Sequence, residues 1–115
     1  MLFPESFTDA MIECARKAAA GDAESQFRMA QMYRHGKGVP MNIHEAITWY
    51  KRAFDGGFPE AAYRLGRLYT QGSVIGKDIK KALHWHSKAA RADHVPAMVA
   101  LGNHLARGAG IEKDL

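Results

Sequence analysis

One cysteine among 115 residues rules out an internal disulfide, so the fold cannot depend on an oxidising compartment. Apolar runs are short as well. No stretch approaches the roughly 18 consecutive apolar residues that a membrane helix needs, and the opening MLFPESFTDAMIE lacks both the basic start and the apolar run of a secretory leader. The expected setting is therefore the cytoplasm. Site motifs are equally scarce: there is no CxxC, no HExxH and no G-x-x-x-x-G-K-[ST]. The histidines are never spaced i, i+4 as a helical metal pair would be; His84 and His86, two apart, point to different sides of a helix. No nucleophile stands beside a base and no two carboxylates share a face, so no catalytic residue, cofactor or metal ligand is expected.

What the chain does contain is a period. Written against itself at an offset of 36, it superimposes Gly36, Gly72 and Gly108; Met29, Leu65 and Leu101; Ala46 and Ala82; Trp49 and Trp85; and Ala53 and Ala89, without a gap. The N-terminal stretch keeps the register, with Pro4 on Pro40, Phe7 on Ile43 and Ala10 on Ala46. The expected organisation is one domain, residues 1–115, built of a half-unit at 4–20, full units at 21–56 and 57–92, and a final half-unit at 93–115.

Each full unit divides at its glycines into two helices. In the second, Pro59 suits a first helical turn, helix A runs to about Gln71, and Gly72 is placed to end it in a left-handed conformation. Helix B follows an N-cap at Asp78, aligned with Asn42 and Ser6; Asn42 with Glu45, and Ser6 with Asp9, have capping-box spacing. Along helix B, Ile79, Ala82, Trp85, His86 and Ala89 form an apolar face, with Lys77, Lys81, His84, Lys88 and Arg91 on the other. Such a pair cannot bury its apolar face alone, so successive pairs must stack. The expected fold is all-α, a right-handed α-solenoid of antiparallel helix pairs.

The pattern A-x-Y-x-L-G-x-L-Y-x-x-G, then a polar N-cap and A-x-x-W-x-x-x-A, resembles the Sel-1-like repeat, a 36-residue relative of the tetratricopeptide repeat. In the second unit it is carried by Ala61, Tyr63, Leu65, Gly66, Leu68, Tyr69, Gly72, Asp78, Ala82, Trp85, Ala89 and Ala90. The first unit carries it on Phe27, Met29, Ala30, Met32, Tyr33, Gly36, Gly38, Val39, Asn42, Ala46, Trp49, Tyr50 and Ala53. The chain departs from it where Val74 and Gly76 replace Gly38 and Pro40, and where His104 stands in the place of Met32 and Leu68.

The resemblance implies a non-catalytic scaffold or adaptor that binds a protein or peptide in a concave groove lined by helix A. By register the groove residues are Gln31, Arg34, His35, Arg67, Gln71, Asn103 and Arg107, side chains able to hold a peptide backbone or a carboxylate through forked hydrogen bonds. Phe27, Tyr63 and Val99 adjoin them and are expected to pack. Cys14, aligned with Tyr50 and His86, reads as a small apolar filler.

Charge supplies the alternative. The net charge is +4, and the excess lies in residues 57–92, which carry +5, while 1–20, 21–56 and 93–115 carry −1, +1 and −1. An RNA or another polyanion would use the stripe Lys77, Lys81, His84, Lys88 and Arg91, much as pentatricopeptide proteins read RNA. A solvated outer face is the plainer reading of that stripe, because nucleic-acid binding favours basic residues spread over several repeats. Finally, Asp114 and Leu115 fall at the N-cap and first apolar position of a further helix B. Met98, Leu101 and Leu105 are then expected to lie open, and the chain either belongs to a longer array or self-associates through that end.

Overall fold

Helix ends follow the capping residues closely. The computed structural model describes residues 8–72 and 76–107, and among them six α-helices and no strand occur: α1 (Asp9–Ala19), α2 (Ala23–His35), α3 (Ile43–Asp55), α4 (Pro59–Gln71), α5 (Ile79–Arg91) and α6 (Val95–Arg107). Asn42 accepts a hydrogen bond from the Glu45 amide at 3.1 Å, and Asp78 accepts one from the Lys81 amide at 3.0 Å. Each satisfies one of the four donors that a helix start leaves unpaired. α1 begins differently from expectation: Thr8, not Ser6, is its N-cap, and the Thr8 amide donates to Met11 Sδ. Ser6 and Phe7, like Val74 and Gly108 to Leu115, lie outside the described residues.

The two loops that join helix A to helix B close in the same way despite their different sequences. The Asn42 amide donates to the Tyr33 carbonyl at 2.8 Å, and the Asp78 amide donates to that of Tyr69 at 2.9 Å. Their left-handed residues differ: after Gly36 (φ 66°) the first loop uses Gly38, whereas after Gly72 (φ 62°) the second uses Gly76, at the register position of Pro40. A third set of turns leads from helix B to the next helix A. There the Asp22, Phe58 and His94 amides donate to the carbonyls of Lys17, Ala53 and Ala89 at 2.9, 3.0 and 3.1 Å. The residue before each has positive φ: Gly21 (101°), Gly57 (95°) and Asp93 (64°). Asp93 thus holds a side chain where its counterparts have none.

The chain forms two compact units, Met1–Phe58 and Pro59–Leu115. In the first, α1 and α3 both pack on α2. Alanines line the closest approaches, with Ala30, Ala46 and Ala53 wholly buried, and the Phe27 ring lies 5.7 Å from that of Tyr50 and 5.0 Å from that of Phe58. Buried Gln26 donates from Nε2 to the Ala18 carbonyl at 3.1 Å, satisfying an acceptor at the end of α1. Ala15, Ala18 and Met29 form a cluster against which Cys14, Met32, Tyr33 and Trp49 rest.

In the second unit α4 and α6 both pack on α5. Ala61, Ala62, Leu65, Ala82, Ala89 and Ala97 are fully buried. The large ring at the centre of each α2–α3 or α4–α5 pair is not the tryptophan of the pattern. Trp49 and Trp85 are half-buried, and the residue after each, Tyr50 or His86, is the one enclosed. His86 reaches its place because Gly66 has no side chain: a Cβ added there would stand 2.5 Å from His86 Nδ1.

Candidate partner-binding site

Two of the side chains expected in the groove stand on α4 and one on α6, and the fold brings them together. Arg67 and Gln71 line a cavity of about 250 Å³ with Asn103. Tyr63, Thr70, His86, Ala100 and His104 complete its wall, and none of the described lining residues is acidic. Helix periodicity explains the α4 set, because residues 63, 67, 70 and 71 recur at steps of three and four on one side of the helix.

Arg67 is the cavity's fixed cation. Its neighbours one helical turn away are Tyr63, Arg64, Thr70 and Gln71, none of them acidic. Its guanidinium lies 6.0 Å from the centre of the Tyr63 ring, and it forms no ion pair with any described residue. The contrast is with Arg28, paired with Glu24 at 3.7 Å, and Arg64, whose Nε donates to Glu60 at 2.7 Å. Glu60 is fully engaged nearby: its other carboxylate oxygen takes His94 Nε2 at 2.5 Å. The Ala97 amide donates to His94 Nδ1 at 3.2 Å, so the hydrogen of this imidazole is on Nε2 and the ring caps α6 as Asp22 caps α2.

His86 forms the cavity's inner wall. Only 1% of its surface is exposed, and Nδ1 has no hydrogen-bond partner. Its ring lies 5.6 Å from that of Tyr63 and stacks on that of His104 at 5.5 Å. Burial, followed by the nearby His104, Arg67 and His94, depresses its pKa from 6.5 to about 4. At neutral pH the imidazole is uncharged and serves as a packed wall. Neither His86 nor His104 was singled out for the groove from the sequence. The available signal was a polar ring at an apolar register position, since His104 stands where Met32 and Leu68 do.

The remaining groove residues expected from the sequence are Gln31, Arg34, His35 and Arg107. Gln31 belongs to the first unit, where its Oε1 accepts a hydrogen bond from the Tyr50 hydroxyl. It lines an open apolar cleft of about 400 Å³ with Met11, Cys14, Phe27 and Met32. Arg34 and His35 occupy the last turn of α2, where cations complement the helix dipole. Arg107 ends α6. The Cys14 thiol donates to the Ser25 carbonyl at 3.4 Å, and burial raises its pKa, consistent with a filler.

With this geometry in hand, the Sel1-repeat model matches the chain three times, at residues 23–58, 59–94 and 95–115. The chain belongs to the Sel1-repeat family. The matched units start two residues later than the sequence period suggested, at the first residues of α2, α4 and α6. Among solved structures, a Sel1 repeat protein from Oxalobacter formigenes is similar with a TM-score of 0.79 and 32% identity, over 94% of this chain and 81% of that one. A protective antigen of uropathogenic Escherichia coli strains displaying an SLR fold is similar with a TM-score of 0.83 and 29% identity. That match spans 90% of this chain and 22% of the antigen. The all-α helical-repeat solenoid class is thereby shared. Sel1 repeats are in general protein–protein interaction modules and typically non-catalytic.

Within the second Sel1 repeat, the basic stripe of α5 is partly laid over aromatic rings. Lys81 Nζ lies 5.4 Å from the centre of the Tyr69 ring and Lys88 Nζ 5.7 Å from that of Trp85, while His84 meets Trp85 edge-on at 5.3 Å. Lys77 and Arg91 are exposed. No described helix is long and apolar enough to cross a membrane. Nor do three or more described His, Cys, Asp or Glu side chains converge as a metal site.

Proposed function

We propose that this Sel1-repeat chain is a non-catalytic adaptor that holds a peptide segment of a protein partner against the first helices of its repeats. The cavity between α4 and α6 is its polar anchor. One observation carries the reading: Arg67, Gln71 and Asn103, from successive first helices of the second unit, converge on one cavity in which the arginine has no carboxylate of its own. A packed scaffold holding donors in place lowers the ordering cost of binding. By register, Gln31, Arg34 and His35 hold the corresponding rows of the first unit and Arg107 that of α6.

The test is affinity capture from cell extract with the intact chain, with Arg67→Ala/Asn103→Ala and with Lys81→Ala/Lys88→Ala, followed by mass spectrometry and nucleic-acid staining. Loss of a reproducible protein partner in the first variant alone is the expected result. Loss in the second variant alone, with RNA in the eluate and steep salt dependence, would assign the function to polyanion binding by α5 instead.

A further inference from the structure

We infer that α6 is an acid-operated lid on the second unit: when the imidazole of His86, enclosed by α4 and α6, takes up a proton, α6 leaves α5 while its start stays tied to α4 through His94. The cavity walled by Asn103 and His104 then comes apart. This does not depend on what the cavity holds.

A proton on His86 has nothing to balance it. Tyr63 and Gly66 of α4 and His104 of α6 close around the ring, and its Nδ1 meets no hydrogen-bond partner. The charged or titratable groups that face it are Arg67 on α4, His94 ahead of α6 and His104 on α6, none of them acidic. On α5 itself the residues one turn away are Ala82, Leu83, Ala89 and Ala90. The only carboxylate on α4, α5 or α6 is that of Glu60, which already takes Arg64 Nε at 2.7 Å and His94 Nε2 at 2.5 Å. In contrast, α1, α2 and α3 carry Asp9, Glu13, Glu24, Glu45 and Asp55. An imidazolium at the enclosed position would be a buried charge without a partner, far costlier than the same ion in water. The enclosed ring is therefore neutral, its pKa depressed to about 4.

Of the two helices that enclose His86, α6 is the one held loosely. Ala61, Ala62 and Leu65 on α4 are wholly buried, whereas among the described side chains of α6 only Ala97 is, and Val95, Met98, Val99 and Leu105 are exposed. The start of α6 is both tethered and sensitive to protons. His94 Nε2 donates to Glu60 on α4, and Nδ1 accepts the Ala97 amide at 3.2 Å. Nδ1 cannot carry a proton and accept that bond, so protonation removes the cap of α6 yet makes the link to Glu60 charge-assisted. His94 is thus the hinge, and the end that swings carries His104. A second proton, on His104, would set like charges across a stack of 5.5 Å and drive the helices further apart.

The test is hydrogen exchange of the intact chain followed by mass spectrometry at several pH values from 7.5 to 5.0, with rates corrected for the intrinsic pH dependence of exchange. Above pH 6.5 neither the closed nor the open form holds the proton; between 6.5 and about 4 only the open form does. From pH 7.5 to 5.0 the opening of α6 is therefore expected to rise about 30-fold, the ratio set by an imidazole of pKa 6.5 when freed and about 4 when enclosed. Protection of α4 should persist, and α1, α2 and α3 serve as the internal reference. His86→Leu should abolish the rise, and His86→Gln, which cannot titrate either, takes its place if the leucine variant does not fold. His84→Leu, on the exposed side of α5, should leave the rise intact. The inference is overturned if α6 keeps its protection down to pH 5.0, if α4, α5 and α6 lose theirs together, or if a non-titrating variant at position 86 shows the full rise.

Discussion

Gly66 and Gly102 occupy the same register position on successive first helices, and the same substitution at the two should act with opposite sign. Replacing glycine by alanine inside a helix stabilises by about 1 kcal/mol, because alanine has less backbone freedom to lose. At Gly102 nothing lies within 4 Å of the added methyl, so Gly102→Ala should gain roughly that amount. At Gly66 the methyl would stand 2.5 Å from Nδ1 and 2.7 Å from Nε2 of a ring that is 99% enclosed and stacked on His104. Overpacking of this kind costs about 1–3 kcal/mol, which meets or exceeds the propensity gain. The expected difference between the two variants is therefore about 1–3 kcal/mol, or around 1 M in urea midpoint for a small domain. Urea melts followed by far-UV circular dichroism measure it. A cycle adding His86→Ala isolates the contact, since Gly66→Ala should turn neutral or stabilising once the ring is gone. Equal stabilisation by Gly66→Ala and Gly102→Ala would refute the reasoning, for it would mean that His86 is not seated on Gly66.

Three further outcomes are expected. Acidification should destabilise the fold through His86, whose charge would face Arg67 on α4, His94 at the start of α6 and His104 on α6, with the Glu60 carboxylate held by His94 and Arg64. Above pH 6.5 the imidazole is neutral in folded and unfolded chains alike. Between 6.5 and about 4 only the unfolded chain takes up the proton, so up to about 3 kcal/mol is lost across that window, and His86→Leu should lack this slope in pH-dependent melts. Asp93→Gly should raise stability by several tenths to about 1 kcal/mol in the same melts, because φ 64° strains any residue with a Cβ and Gly21 and Gly57 already hold the equivalent places. Self-association through α6, where Val95, Met98, Val99 and Leu105 are exposed, should raise the mass seen by light scattering with concentration, and Leu105→Glu should abolish the rise; a wild-type chain that stays monomeric at high concentration would exclude it.

Helix boundaries were legible because they are set by local chemistry. Asn42, Asp78, Gly36 and Gly72 each impose a cap or a left-handed turn whatever surrounds them, and Pro59 to Gln71 form a helix as the pattern required. The choice of buried ring was harder to read. Trp49 and Tyr50, or Trp85 and His86, are neighbours about 100° apart on a helix, and a repeat shows that a position recurs without fixing which neighbour points at the partner helix. For His86 that choice depends on Gly66 across the interface. The candidate site divides along the same line. Arg67, Gln71 and Asn103 followed from register, whereas the part of His86 and His104 depends on three helices meeting at one place. The absence of an ion pair at Arg67 is likewise a statement about space.

The order in which the helices pair has a consequence for biosynthesis. Within each unit the middle helix in the chain takes both others: α2 receives α1 and α3, and α5 receives α4 and α6. Every such partner is therefore the helix immediately before or after it, separated by a single loop. The entropy of closing those loops is small, and chains dominated by such short-range contacts fold in microseconds to milliseconds. A ribosome adds only about 5–20 residues per second. The α1–α3 set can thus dock its helices as soon as Phe58 clears the exit tunnel, before α6 emerges from it, so that the nascent chain exposes the apolar faces of only one unit at any moment.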